Sequence, residues 1–203
     1  MPLPQKTSPN NCSTDTPKQN AENSERDSSA AWFAMSAPYR RELKAKAFLE
    51  GRGIECFVPM TRVIVEKRGG TKTRQLVPAI HNLIFVHTSK TIIQEAKTRC
   101  EFLQYRTKPH NGKNVPIIVP DKEMQQFIAV TQALSEKLLY LNLDEIDLEK
   151  GTRIRIHGGV LDGTEGLFVK LKGKRRRSVI IQIEGVAAVA LTEVSPDLIE
   201  VIG

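Results

Sequence analysis

Apolar residues change their spacing three times along the chain. Residues 1–28 hold few large aliphatics beyond Met1 and Leu3 and are rich in Pro, Ser, Thr, Asn and Gln. Such a stretch cannot bury enough apolar surface to offset backbone ordering, so a disordered tail is expected through about residue 29. Order is predicted from Ala30. Trp32-Phe33-Ala34-Met35 is a short apolar run suited to a buried strand. Ser36 and Pro38 then signal a helix start, by a capping hydroxyl and by a proline whose missing N–H costs nothing in a first turn. The predicted helix covers residues 39–50. Tyr39, Leu43 and Ala47 recur every four residues as its buried stripe, widened by Phe48 and Leu49, with Arg40, Arg41 and Lys44 opposite. Gly51 and Gly53 end it.

Residues 54–58 read as a second strand, stopped by Pro59. Residues 62–66 alternate apolar and charged side chains, as a half-exposed strand does, and the Arg68-Gly69-Gly70 turn sends the chain back over 73–77. Leu83-Ile84-Phe85-Val86 is the most β-prone run of this half and is expected in the middle of a sheet. A short helix over 91–98 and a strand over 102–106 follow, then an Asn111-Gly112 turn into 115–119. Asp121 should cap a last helix whose Met124, Phe127, Ile128, Thr131, Leu134 and Leu138 share one face.

The acidic stretch 140–149 reads as a linker. Beyond it, five short β-prone segments (152–157, 166–171, 178–183, 186–191 and 198–202) separated by glycine-rich or charged turns predict a small all-β barrel over 150–203. The fold class is therefore α+β. Residues 30–139 should form a ferredoxin-like sandwich, an antiparallel sheet with helices on one face, followed by the linker and the barrel.

Composition narrows the function. Aromatics are 5% of 203 residues, and Trp32 is the only tryptophan, so the core must be largely aliphatic. The formal charge is +7. It divides as −1 for residues 1–28 (3 basic, 4 acidic), +6 for 29–150 (19 against 13) and +2 for 151–203 (8 against 6). A polyanion partner is thus expected at the first folded block rather than at the barrel. No stretch of 18 apolar residues exists, and the first residues lack the apolar core of a secretory signal. Three scattered cysteines suit a reducing cytoplasm, with Cys56 and Cys100 as core filler. His81, His87, His110 and His157 stand at no metal-ligand spacing, and no hydrolase, zinc-protease or phosphate-loop motif is present. No catalytic residue, metal or cofactor is nominated.

Three pieces stand in an order that resembles the NusG family of transcription elongation factors. Trp32 to Met35 with the basic helix and Ile54 to Met60 is the first. The hairpin at Arg68-Gly69-Gly70 with Asn82 to Val86 behind it is the second. The third, Lys150 to Ile156 with Gly158, Asp162-Gly163 and Gly166, resembles that family's KOW motif. Leu49 to Met60 and the polar extension resemble the specialised RfaH-like and UpxY paralogues, antiterminators of polysaccharide operons. The resemblance implies an SH3-like KOW barrel and docking on the clamp helices of RNA polymerase. It places docking at Ser36, Ile80, His81, Leu83 and Phe85, where the family favours aromatics at several positions and has Pro at that of His81. It implies contact with the non-template DNA strand or nascent RNA at Arg40, Arg41, Lys44, Thr98 and Arg99. It implies a ribosomal protein or termination factor as a partner of the barrel.

The plain readings stand beside these. Leu83 and Phe85 share one sheet face, and core is the default for such a pair. With Ile84 and Val86 facing the helices, that face is left over and calls for a partner. Arg40, Arg41 and Lys44 also fit an ordinary solvated face. Lys172 to Arg177 fits an exposed hairpin or a sequence-blind RNA contact. A KOW-containing RNA-binding or ribosome-associated protein is the competing class. Five glycines between Gly151 and Gly166 and the β-branched run at 179–183 predict a C-terminal block that is β at rest. The acidic linker 140–149 has little apolar surface with which to pin the barrel down, so mobile domains and an open docking patch are expected.

Overall fold

The computed structural model describes residues 29–66, 70–134, 138–141, 151–171, 177–191 and 194–202. The predicted tail, the turn at Arg68-Gly69, most of the linker and most of the Lys172 to Arg177 run lie outside those residues.

The N-terminal block is built on one antiparallel strand pair. β1 (Ala31–Ser36) and β5 (Leu83–Thr88) pair with Phe33 opposite Val86, Ala34 opposite Phe85 and Met35 opposite Ile84. β2 (Glu55–Phe57) joins the free edge of β5, and β6 (Gln104–Tyr105) joins β1, giving the order β2-β5-β1-β6. β9 (Ile118–Val119) continues that last edge along β1. This is the ferredoxin-like order expected. Two ribbons leave the sheet: β3 (Met60–Glu66) with β4 (Lys72–Pro78), and β7 (Thr107–His110) with β8 (Lys113–Pro116). The second turns at Asn111 (φ 49°) and Gly112 (φ 74°), the double left-handed geometry that an Asn-Gly hairpin uses.

Helices cover both sheet faces, not one. α1 (Glu42–Glu50) and α2 (Lys90–Arg99) pack Ala45, Leu49, Ile93 and Ala96 on Phe33, Met35, Ile84 and Val86. α3 (Asp121–Ala133) packs Met124, Phe127 and Val130 on Trp32, Ala34, Leu83 and Phe85. The Phe85 and Phe127 rings meet at 6.0 Å and 60°, and Phe57 meets Phe127 edge-on at 6.5 Å. The chain therefore supplies its own cover for the face expected to be left over. Leu83 and Phe85 are fully buried, so neither lies on an open surface. Asp121 opens α3 without capping it through its side chain, and Pro120 occupies the N-cap.

α1 also departs from its predicted stripe. Tyr39 is 84% exposed, Leu43 and Ala47 are exposed, and the buried residues are Glu42, Ala45 and Leu49. The stripe is shifted because the helix begins at Glu42, three residues later than expected. Its first buried side chain is a carboxylate that finds a backbone donor, described below.

The C-terminal block has all five predicted strands: β11 (Thr152–Ile156), β12 (Glu165–Lys170), β13 (Arg177–Ile183), β14 (Ala187–Leu191) and β15 (Ile199–Val201). A sixth, β10 (Leu138–Leu141), pairs with β14 and comes from the end of the predicted helix face and the start of the predicted linker. The order is β10-β14-β13-β12-β11-β15, all antiparallel. The block is β, as its β-branched residues require. Gly166 is fixed by crowding: a Cβ there would lie 2.7 Å from the Ile180 carbonyl oxygen.

The two blocks are in contact, against the expectation of mobile domains. One apolar cluster runs from Leu83 and Phe85 through α3 to Ile154, Val179, Ile181 and Val189. Lys122 Nζ lies 3.2 Å from Glu165 Oε1, which Arg155 Nη2 also reaches at 3.1 Å. Those two donors, Arg155 first, hold the Glu165 carboxyl below its ordinary pKa. Tyr140 Oη donates to the Met60 carbonyl at 3.3 Å, and burial pushes its phenol up to about 12. Among the described residues, no helix is long and apolar enough to cross a membrane.

Replacing Phe85 by Ala should destabilise the protein by about 3–5 kcal/mol, the cost of a fully buried ring and its cavity. Urea unfolding of the full chain measures it; a loss below about 1 kcal/mol would return Phe85 to a solvent-accessible face.

Candidate functional site

The expected docking residues separate by depth. Ser36 ends β1, half-buried, opposite Leu83 and Gln104. Ile80 is half-buried against the large cluster, and His81 is exposed in the loop before β5. Leu83 and Phe85 lie beneath them in the core. Ile64 (67% exposed) and Leu76 (55%) place further apolar surface on the β3–β4 ribbon, which sequence analysis treated only as a hairpin.

The expected basic residues converge better. Arg40, Arg41 and Lys44 are exposed at the start of α1, and Thr98 and Arg99 are exposed at the end of α2. Both helices cover the same sheet face. Phe102, just after α2, joins the two ends: the Arg41 guanidinium lies 5.2 Å and Lys44 Nζ 5.6 Å from its ring centroid. Lys97 Nζ lies 4.2 Å from the Tyr105 ring. Arg99 pairs with Glu95 at 3.0 Å, and the Thr98 hydroxyl donates to the Glu95 carbonyl at 2.7 Å. Arg99 is thus partly neutralised, while Arg41 and Lys44 are held by aromatic faces that leave their charge intact. Arg52 and Arg99, with Ile54, Ile92, Glu95 and Ala96, line a shallow cleft at the far end of α1.

Below this surface sits a knot of backbone. Tyr39 (φ 62°) and Arg40 (φ 56°) are consecutive non-glycine residues in the left-handed region, at a cost of roughly 1–2 kcal/mol each. Asn82, itself left-handed at φ 60°, holds them. Its side-chain Oδ1 accepts from the Arg40 N–H at 3.2 Å, and its carbonyl accepts from the Ala37 N–H at 3.3 Å. Arg106 Nη2 approaches the same carbonyl at 3.5 Å. The Asn82 N–H donates to Glu42 Oε1, and the other Glu42 oxygen is buried with no partner among the described residues. Burial lowers the pKa of Arg106, whose guanidinium is half-buried beside this knot. Tyr39, Glu42, Asn82, Phe102 and Arg106 carry no shared spacing in the chain that marks them as a group. The one legible signal was Asn82, a residue type that tolerates left-handed backbone, placed before a strand.

Cys56 and Cys100 behave as filler. Burial pushes the Cys56 thiol up to about 11 and raises Cys100 as well, so neither is an activated thiolate.

Residues 30–128 match the family model described as "Transcription termination factor nusG". The matched span runs from β1 into α3, the whole sheet and its ribbons. This block carries a NusG-type domain by that match. It is similar to a solved structure described as "Domain interaction in Thermotoga maritima NusG", at 16% identity, over 86% of this chain and 98% of that one, with a TM-score of 0.41. It is also similar to a chain of the "MjSpt4:Spt5 complex conformation B", at 12% identity, over 85% and 97%, with a TM-score of 0.26. No curated protein matches it.

Glu42→Ala should cost about 1–3 kcal/mol, because the Asn82 N–H is left buried without an acceptor. The surface change Glu50→Ala, which removes only an exposed pair with Lys46 at 3.6 Å, should stay within about 0.5 kcal/mol. Equal losses in urea unfolding would show that the carboxylate does not pin the loop.

Proposed function

We propose that this protein is a non-enzymatic, cytoplasmic regulator that binds elongating RNA polymerase and promotes processive, antiterminated transcription. Its operon would be of the polysaccharide-biosynthesis kind that the specialised paralogues serve. The observation that carries the reading is the family match over residues 30–128, which lies within the 29–150 block that holds +6 of the charge. Docking on the polymerase clamp helices falls to Ser36, Ile80 and His81, with Leu83 and Phe85 shaping that surface from beneath. The mechanism is mechanical and electrostatic. The surface at Ser36, Ile80 and His81 holds the polymerase, and Arg40, Arg41, Lys44, Thr98 and Arg99 contact the phosphates of the exposed non-template strand or nascent RNA. Phosphate contacts are sequence-blind and set position rather than recognition. In this reading residues 30–139 form the polymerase-binding domain and 150–203 the KOW domain, which offers β-strands to a ribosomal protein or termination factor.

The competing reading, an RNA-binding or ribosome-associated protein, draws on the C-terminal sheet and the Lys172 to Arg177 run. Affinity capture with the tagged full chain separates the two. Core RNA polymerase should be retained in the presence of RNase. Loss of polymerase on RNase treatment, with ribosomal proteins retained only without it, would favour the competitor.

Neutral replacement of Arg40, Arg41 and Lys44 together should lower affinity for the single strand of a transcription bubble. It should flatten the salt dependence by a slope of roughly 2 for three phosphates. Core polymerase affinity should stay nearly constant. An unchanged slope would make this an ordinary solvated face.

A further inference from the structure

Tyr39 is the most exposed large hydrophobic residue among those described, at 84%. An exposed tyrosine on a loose loop would carry no meaning. Here the loop is not loose: Tyr39 and Arg40 are both held left-handed, and Asn82 and the buried Glu42 carboxylate fix the backbone on either side. Strain of this kind persists only where surrounding contacts impose it, and it gathers at functional sites. What it achieves is to aim one ring into solvent.

The ring is aimed at a particular neighbourhood. The Arg41 guanidinium lies 5.6 Å from the Tyr39 centroid and 5.2 Å from that of Phe102, so two aromatic rings share one cation. Lys44 flanks Phe102, and the Arg40 side chain is exposed beside Tyr39. Of the nearby acids among the described residues, Glu42 is buried, Glu95 is engaged by Arg99, and Glu101 is exposed next to Phe102. Rings interleaved with cations are the combination that binds unpaired nucleotides. Each base has a π-face to stack, and each phosphate meets a charge. A duplex buries its base faces and can use only the cations.

We propose that Tyr39, beside the Arg41 guanidinium that the half-buried Phe102 holds in place, is a base-stacking platform that makes the basic face select single-stranded DNA over duplex. The proposal rests on the reading of that face as a nucleic-acid contact, and it adds the ring that confers the selection.

The test is fluorescence anisotropy of the full chain with a labelled thymidine oligonucleotide of about twelve nucleotides and with its duplex, across a salt series. The single strand should bind more tightly. Tyr39→Leu, which keeps apolar bulk and backbone geometry, should weaken the single strand by about tenfold, within the range that loss of one stacked base gives. It should leave duplex affinity, salt slope and melting temperature unchanged, and Tyr39→Phe should bind like the original. Irradiation with 5-iodouridine in the strand should crosslink Tyr39. No loss on Tyr39→Leu, while the triple replacement of Arg40, Arg41 and Lys44 flattens the salt slope, would overturn the platform and leave the basic face standing. An equal loss on strand and duplex would overturn the selectivity. Tighter binding of a uridine ribonucleotide strand would overturn the assignment to DNA. No binding of any of these by the original protein would overturn both readings.

Discussion

Everything in the N-terminal block depends on the pairing of β1 with β5 and on the burial of that pair from both sides. In-register pairing sends Phe33, Met35, Ile84 and Val86 to one face and Trp32, Ala34, Leu83 and Phe85 to the other. A strand pair that is apolar on both faces cannot rest against water on either, so it demands two layers of cover. α1 and α2 supply one, and α3 supplies the other. That requirement orients all three helices, and it decides which of their residues remain outside.

What remains outside α1 and α2 is the basic face. Its cations do not merely project into solvent. Arg41 and Lys44 lie against Phe102, and Lys97 lies against Tyr105, so aromatic rings limit their freedom without neutralising them. A charge held in place loses less entropy on meeting a phosphate than one on a free stem. The left-handed pair Tyr39–Arg40 belongs to the same surface, and Asn82 anchors it from the loop that carries His81. The candidate docking loop and the candidate nucleic-acid face therefore share one backbone knot, with Glu42 at its centre.

The second cover has a different consequence. Once α3 lies on Leu83 and Phe85, its far side meets the C-terminal sheet, and the apolar cluster becomes continuous between the blocks. The pairing of β10 with β14 draws residues 138–141 into that sheet, which shortens the connection. The Lys122–Glu165–Arg155 group closes the contact at its polar edge. In this arrangement the C-terminal block is β and also in contact, a combination that strand propensity alone does not distinguish from a free barrel.

The amino-acid sequence by itself determined the local elements and the charge. Short apolar, β-prone runs placed β1, β5 and the five C-terminal strands, glycines placed the turns, and block-wise counting located the basic excess. These are readable because a strand's period and a turn's backbone requirement are properties of a few neighbouring residues. The start of α1 was not readable. Tyr39, Leu43 and Ala47 form as good an apolar stripe as Ala45 and Leu49, and only Asn82, some forty residues on, makes burial of Glu42 affordable and shifts the stripe. The fate of Phe85 was not readable either: a face apolar enough to dock a partner is also apolar enough to receive a helix. Which of the two happens depends on where α3 returns. Tertiary structure decided both, because each turns on a contact between segments far apart in the chain, and neither leaves a periodic trace in the residues that make it.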